Sequence, residues 1–157
     1  MTTMDLCFVR ASDCTLAFSV SQVAGVAPFP SSLSWPPSAD GSLGWVAAAG
    51  GGAGQDEGRT GMQVVDPVIY WRMAAGTGGA PDRVRERPPF VVVMQGRALA
   101  LAVDAYRFGS EAIVPVSTVL RARGVYALAS IDGDYAVVYD MARLVSTRQL
   151  GAGGAVC

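Results

Sequence analysis

The chain has 157 residues, 51% of them hydrophobic and 16% charged, and its 12 basic and 13 acidic side chains leave a net charge of −1. That length suits one domain with a full core, or two very small barrels sharing one. Such a charge balance offers no electrostatic footprint for nucleic acid or an anionic membrane. With no histidine, and with arginine as the sole basic residue type, Ser/His/Asp, Cys/His and Ser-x-x-Lys arrangements are excluded.

Cys7, Cys14 and Cys157 are odd in number and lack CxxC spacing. Without histidine they complete no zinc site, and they fit a reducing compartment. Asp5, Arg10 and Asp13 fall where a signal peptide needs an unbroken apolar stretch. The longest apolar run, residues 90–103, is broken by Gln95, Gly96 and Arg97, so no membrane-spanning helix is expected.

Taken in chain order, residues 6–10 and 14–20 read as a first hairpin around Ala11-Ser12-Asp13. Residues 27–42 are rich in Pro and Ser and read as a loop or crossover whose Phe29, Leu33 and Trp35 cap a barrel end. A strand is expected at 43–49. Residues 50–61 hold six glycines in twelve positions. A Walker loop needs a lysine this chain does not have, so the stretch reads as a flexible hairpin tip rather than a phosphate cradle. Residues 62–66 read as a strand, 67–72 as a turn of helix or a continued edge, and 74–89 as a linker with a solvated charge run at Arg83, Arg85 and Arg87. Tight antiparallel hairpins then follow: 90–94, a Gln95-Gly96 turn, 98–103, 113–116, 125–131, an Asp132-Gly133 turn and 135–139. Asp104 and Asp140 follow strands and read as turn acceptors rather than paired catalytic acids, with Asp140 as the N-cap of a short helix over 141–147.

This last stretch resembles the second half of a CheW-like domain, through Gly96, Leu101, Val103, Asp104, Ile113, Val114, Gly133, Val137, Asp140 and Leu144. The opening hairpin with its Val20-Ser21-Gln22-Val23 turn, and Leu43-Gly44-Trp45-Val46, match the start of such a domain. At the family's Gly-x-x-x-Pro-Val-x-Asp-Leu pattern the chain keeps Val64, Val65 and Asp66 but has Gln63 and Pro67 at the proline and leucine. The long glycine loop also shifts Arg59 out of register with the family's arginine. Tyr126-Ala127-Leu128 stands where the family has a small glycine before its Asp-Gly turn.

The resemblance implies an all-β protein: two small five-stranded SH3-like barrels packed as one CheW-like unit over residues 1–157, with one or two short helices. The expected boundaries are 5–73 for the first barrel, 88–146 for the second and 147–157 for a flexible tail. It implies a non-catalytic adaptor, without cofactor or metal, that couples a chemoreceptor's cytoplasmic tip to a CheA-type histidine kinase. Such a protein is cytoplasmic, binds no nucleic acid and meets the membrane only through receptor arrays. The alternative is a divergent scaffold that has lost receptor coupling and binds another motility or signalling partner. Candidate partner-contacting residues are Val23, Arg59, Val64, Asp66, Asp104 and Tyr126, together with Ala98, Ala100 and Ala102. Strand alternation puts these three alanines opposite Leu99, Leu101 and Val103. With the large residues inside, the alanine face reads as a shallow outward docking surface, paired with a strand over 111–116; burial of both faces is the competing reading.

Overall fold

Several strands of this chain are apolar on both sides, so each must be covered twice, and that requirement dictates the architecture. The computed structural model describes residues 2–12, 14–47, 61–71, 86–96, 98–131 and 133–144. Most of the glycine-rich loop with Arg59, the linker through residue 85, Arg97, Asp132 and the tail lie outside the described residues.

The strands are β1 (Thr2–Ala11), β2 (Cys14–Ser19), β3 (Val23–Pro28), β4 (Ser42–Ala47), β5 (Gly61–Val65), β6 (Phe90–Met94), β7 (Leu99–Val103), β8 (Ala105–Pro115), β9 (Val125–Ile131) and β10 (Asp134–Tyr139). Two short helices, α1 (Pro67–Tyr70) and α2 (Thr118–Ala122), join them, with a 3-10 turn at Val20–Gln22 and a final helical turn over 141–144. One sheet closes on itself in the order β1-β2-β10-β9-β8; the other runs β3-β6-β7-β5-β4.

The expected split into barrels of 5–73 and 88–146 is corrected by this topology. The N-terminal hairpin β1–β2 completes the barrel of β8, β9 and β10, while β6 and β7 complete the sheet of β3, β4 and β5. Hairpin reasoning cannot foresee this, because each sheet contains a parallel pair, β2 with β10 and β5 with β7. Parallel neighbours are never joined by a tight turn, so one of them arrives from a distant part of the chain. For the same reason β7 does not pair with the strand after it: β7 bonds to β6 and β5, and β8 to β1 and β9.

The two sheets are circularly permuted copies of one plan. The order β3-β4-β5-helix-β6-β7 corresponds to β8-β9-β10-helical turn-β1-β2, with the parallel pair in the same place. Local chemistry repeats as well. Asp66 and Asp140 each follow a strand and accept a hydrogen bond from the N–H two residues on, at Val68 and Ala142, both 3.1 Å, which caps the next turn of helix. Each aspartate also donates its own N–H, at 2.8 Å, to a glycine carbonyl, Gly41 or Gly124. Those glycines have φ of +88° and +97°, and a Cβ on Gly41 would lie 2.5 Å from the Tyr70 nitrogen. One difference breaks the symmetry. β8 pairs with β9 and closes its barrel, whereas among the described residues the equivalent β3 and β4 do not pair.

The core is layered accordingly. Leu6, Phe8, Ala17, Ala127, Ala129, Ala136 and Val138 fill the closed barrel, and Phe29, Leu33, Met62, Val64, Val91, Ala100 and Ala102 fill the second. Between them lies a larger shared layer drawn from both sheets, including Val9, Leu16, Phe18, Val92, Leu99, Leu101, Tyr139 and Leu144. The alanine face of β7 is therefore interior: Ala100 and Ala102 are wholly buried in the second barrel, and the leucines face the shared layer. The outward docking surface expected there does not exist. Phe29, Leu33 and Trp35 do close the second barrel as expected, and Arg87, rather than standing free, lies 4.6 Å over the Phe29 ring and donates to the Pro30 carbonyl at 2.9 Å.

Two outcomes follow from this layering. Ala100→Arg is expected to unfold the chain, because an unpaired buried charge costs several kcal/mol, roughly the scale of a whole domain's stability; a cooperative melt near the wild-type temperature in circular dichroism would contradict the layering. Tyr139 is fully buried, and among the described residues its hydroxyl has no hydrogen-bond partner. Burial pushes the Tyr139 phenol pKa above its ordinary value of 10.0 and the Cys7 thiol up to about 11. Both raised values mean that the unfolded chain loses its protons first, so stability is intact below about pH 9 and falls as pH rises beyond it. Tyr139→Phe is expected to raise stability by about 1 kcal/mol at neutral pH, since an orphaned hydroxyl is removed. In pH-dependent melts it should also flatten the alkaline decline, leaving the part due to Cys7.

Candidate functional site

β8 is the longest strand and the one that carries surface chemistry. Over nine residue pairs it lies against β1, with Val9 opposite Tyr106 and Cys7 opposite Phe108. Alternation puts Arg107, Glu111 and Ile113 on the barrel side of the strand, where the half-exposed Arg107 stacks 4.8 Å over the Phe8 ring at the barrel end and sits 3.8 Å from Glu111. The opposite face carries Tyr106 and Phe108, next to Val9 and Cys7 of the shared layer. Unlike those two, they reach solvent, at 41% and 49% exposure.

These aromatics form a row that crosses the seam between the sheets. Phe90, the first residue of β6, meets Tyr106 edge-on at a centroid distance of 5.1 Å, and Tyr106 meets Phe108 at 6.0 Å. The outward face of β8 then continues through Ser110 and Ala112 to Val114. Beyond it α2 begins, capped by Ser117, whose hydroxyl accepts from the Leu120 N–H, and ended near Gly124 at positive φ. Val119 and Leu120 on α2, Val114, and Tyr126 on β9 are all exposed. At about 3.4 Å per residue the strip from Tyr106 to Val114 spans roughly 27 Å. The strip is aromatic at one end, apolar at the other and interrupted by Ser110, and large apolar side chains exposed in this way are the type enriched at protein contacts. Among the described residues, no group of three or more His, Cys, Asp or Glu is placed to hold a metal ion.

Most of the residues nominated from sequence lie elsewhere. Val64 is fully buried in the second barrel, and Asp66, 2% exposed, caps α1. Both are structural because β5 is a central strand running straight into that cap. Ala100 and Ala102 are interior, as described above. Ala98 is exposed at the β6–β7 turn with φ +48°, and Val23 is half-buried against the shared layer. Asp104 is half-buried, and its carboxylate accepts the Ser12 N–H at 2.9 Å, the turn role expected of it. Arg59 lies outside the described residues. Only Tyr126 belongs to the exposed strip. Phe90, Tyr106, Phe108, Val114, Val119 and Leu120 were missed as a surface, although Tyr106 and Phe108 at alternate positions were the available signal.

No family model and no curated protein matches the chain. Among solved structures it is similar to the scaffolding protein TtCheW from Thermoanaerobacter tengcongensis, with a TM-score of 0.57 and 14% identity, over 88% of this chain and 90% of that one. The chain therefore has a CheW-like fold, as the resemblance in its second half implied.

Because Asp66 is a cap, Asp66→Ala is expected to cost about 1 kcal/mol, while Asp66→Asn, which keeps a carbonyl acceptor for the Val68 N–H, should cost less. Thermal melts of the two variants check this, and equal melting temperatures for Asp66→Ala and wild type would remove the capping role.

Proposed function

We propose that this chain is a non-catalytic adaptor of a chemosensory system, coupling the cytoplasmic tip of a chemoreceptor to a CheA-type histidine kinase through protein–protein contacts. The observation that carries the reading is the aromatic row on a CheW-like fold in which exposed Tyr106 and Phe108 continue from half-buried Phe90. Aromatic side chains supply most of the energy at interfaces, because they bury large area with few rotatable bonds. The row lies over the seam between the sheets, so a partner seated on it touches both and senses any shift between them. In this role the protein needs no cofactor, works in the cytoplasm and reaches the membrane only through its receptor.

Among the described residues no helix is long and apolar enough to cross a membrane. The inventory without histidine and lysine supports contact rather than chemistry.

The test is a reconstitution with the source organism's receptor signalling tips and CheA-type kinases, read by co-sedimentation and by kinase autophosphorylation. Wild type is expected to bind both. Phe108→Glu should weaken binding by roughly tenfold or more, since it places a charge within an apolar contact, while its melting temperature stays near wild type because the residue is already half exposed. Kinase binding without receptor binding would favour the divergent scaffold over the coupling adaptor. If neither partner bound, the adaptor reading would be lost.

A further inference from the structure

The second sheet presents an edge that the first does not. In the closed barrel, β8 is covered by β9 through three residue pairs, Ile113 with Ala129, Val114 with Leu128 and Pro115 with Ala127. The equivalent strand of the second sheet, β3, pairs only with β6, and among the described residues no strand covers its outer edge. A groove of about 440 Å³ lies beside β3, lined by Ala24, Gly25, Val26 and Ala27, by Met62, and by residues 93–96 at the end of β6. β3 borders this groove with four successive residues, and among the described residues its uncovered side is its outer edge. That edge is where backbone N–H and C=O groups point outward, and an unpaired row of them is a template for another strand.

We propose that the outer edge of β3 is a docking site for a short, extended, uncharged peptide segment of a partner protein, added as a further strand. The chemistry of the groove selects this occupant. None of its lining side chains is ionisable, and the small β3 residues stand alongside the larger, adaptable Met62 and Met94 and the neutral Val93 and Gln95. Edge strands are ordinarily guarded by charge, and β3, VAGVAP, has none. Its ladder is bounded instead, by a bulge at Ala24 and by Pro28, which leaves Gly25, Val26 and Ala27. Three residues is also the length of the β8–β9 pairing, and β9 itself, VYALASI, is uncharged. The molecule thus shows, at the equivalent edge, what kind of segment fits. Main-chain bonds would give affinity and the shallow pockets a preference for small apolar side chains.

The probe is a fluorescein-labelled synthetic peptide with the β9 sequence, flanked by Ser-Gly at both ends and titrated with the full chain in an anisotropy assay. Gly25 is the lever, because a Cβ built on it meets nothing within 4 Å. Saturable binding is expected, kept in Gly25→Ala, weakened by about tenfold or more in Gly25→Trp, and lost for a peptide N-methylated at alternate amides. Circular dichroism checks that Gly25→Trp is folded; should it not be, the N-methylated peptide alone decides. No saturable binding, or equal binding of the N-methylated peptide, overturns the proposal. So does a concentration-dependent dimer in sedimentation that Gly25→Trp abolishes, which would assign the edge to a second copy of this chain.

Discussion

The apolar layer shared by the two sheets is the constraint on which the rest depends. The closed barrel encloses little more than Leu6, Phe8, Val138 and a set of alanines, and the second sheet a group of seven residues around Phe29, Leu33 and Met62. The residues between the sheets are larger: Leu16, Phe18, Leu99, Leu101, Tyr139, Leu144. Fully burying a Leu or Phe contributes about 2 kcal/mol relative to leaving it exposed, so the interface between the units, rather than either interior, holds most of the apolar stabilisation. β1, β2 and β7 must then be covered on both faces, and this is why Cys7, Val9, Ala100 and Leu101 are all interior.

Chain connectivity reinforces this layer at its two ends. The first crossover, from β2 to β3, passes through Gln22, whose carbonyl accepts the Gln95 N–H of the second sheet at 2.8 Å and whose side-chain oxygen accepts the Met141 N–H at 3.0 Å. The second crossover, from β7 to β8, passes through Asp104, which donates to the Arg10 carbonyl at 2.7 Å and accepts from Ser12. Each crossover therefore ties the sheet it leaves to the sheet it enters. Both sites are short-range in space and far apart in sequence, which makes the two units one cooperative structure instead of two domains on a linker.

Turn chemistry made part of this legible in the sequence. Gln95-Gly96 and Asp132-Gly133 announced hairpins that exist, and Asp140 was readable as a cap because it precedes a helical turn after a β-branched run. β3 escaped notice, since VAGVAP is small and runs into a proline-rich loop. The first half of β8 escaped as well, because Arg107, Gly109, Ser110 and Glu111 interrupt the apolar alternation. Arg107, Gly109 and Glu111 are tolerated because their face covers the barrel end with Arg107 over Phe8 instead of packing a core, and Ser110 because it faces solvent. The misplacement of Ala100 and Ala102 has a different origin. Their burial comes from the parallel partner β5, more than thirty positions away, and no local pattern encodes a non-local neighbour. The candidate surface was lost in the same step: with the alanines turned outward, the aromatics of β8 had no apparent role.

The closed barrel keeps mostly small residues inside while Tyr106 and Phe108 stand exposed on β8, and the small interior has a geometric cause. A five-stranded barrel is too narrow for a ligand; its interior is filled by side chains, and Ala17, Ala127, Ala129 and Ala136 must be small to let Phe8 and Leu6 fit among them. Recognition cannot move into such a barrel, and the shared layer is already occupied. What remains is the outward face of β8 with α2, where Tyr106, Phe108 and Val119 stand exposed, and the uncovered edge of β3. The low charge of the chain is consistent with this. A protein whose interiors are full and whose surface must stay apolar in places has few positions left for ions, and two of its arginines, Arg87 and Arg107, lie across aromatic rings.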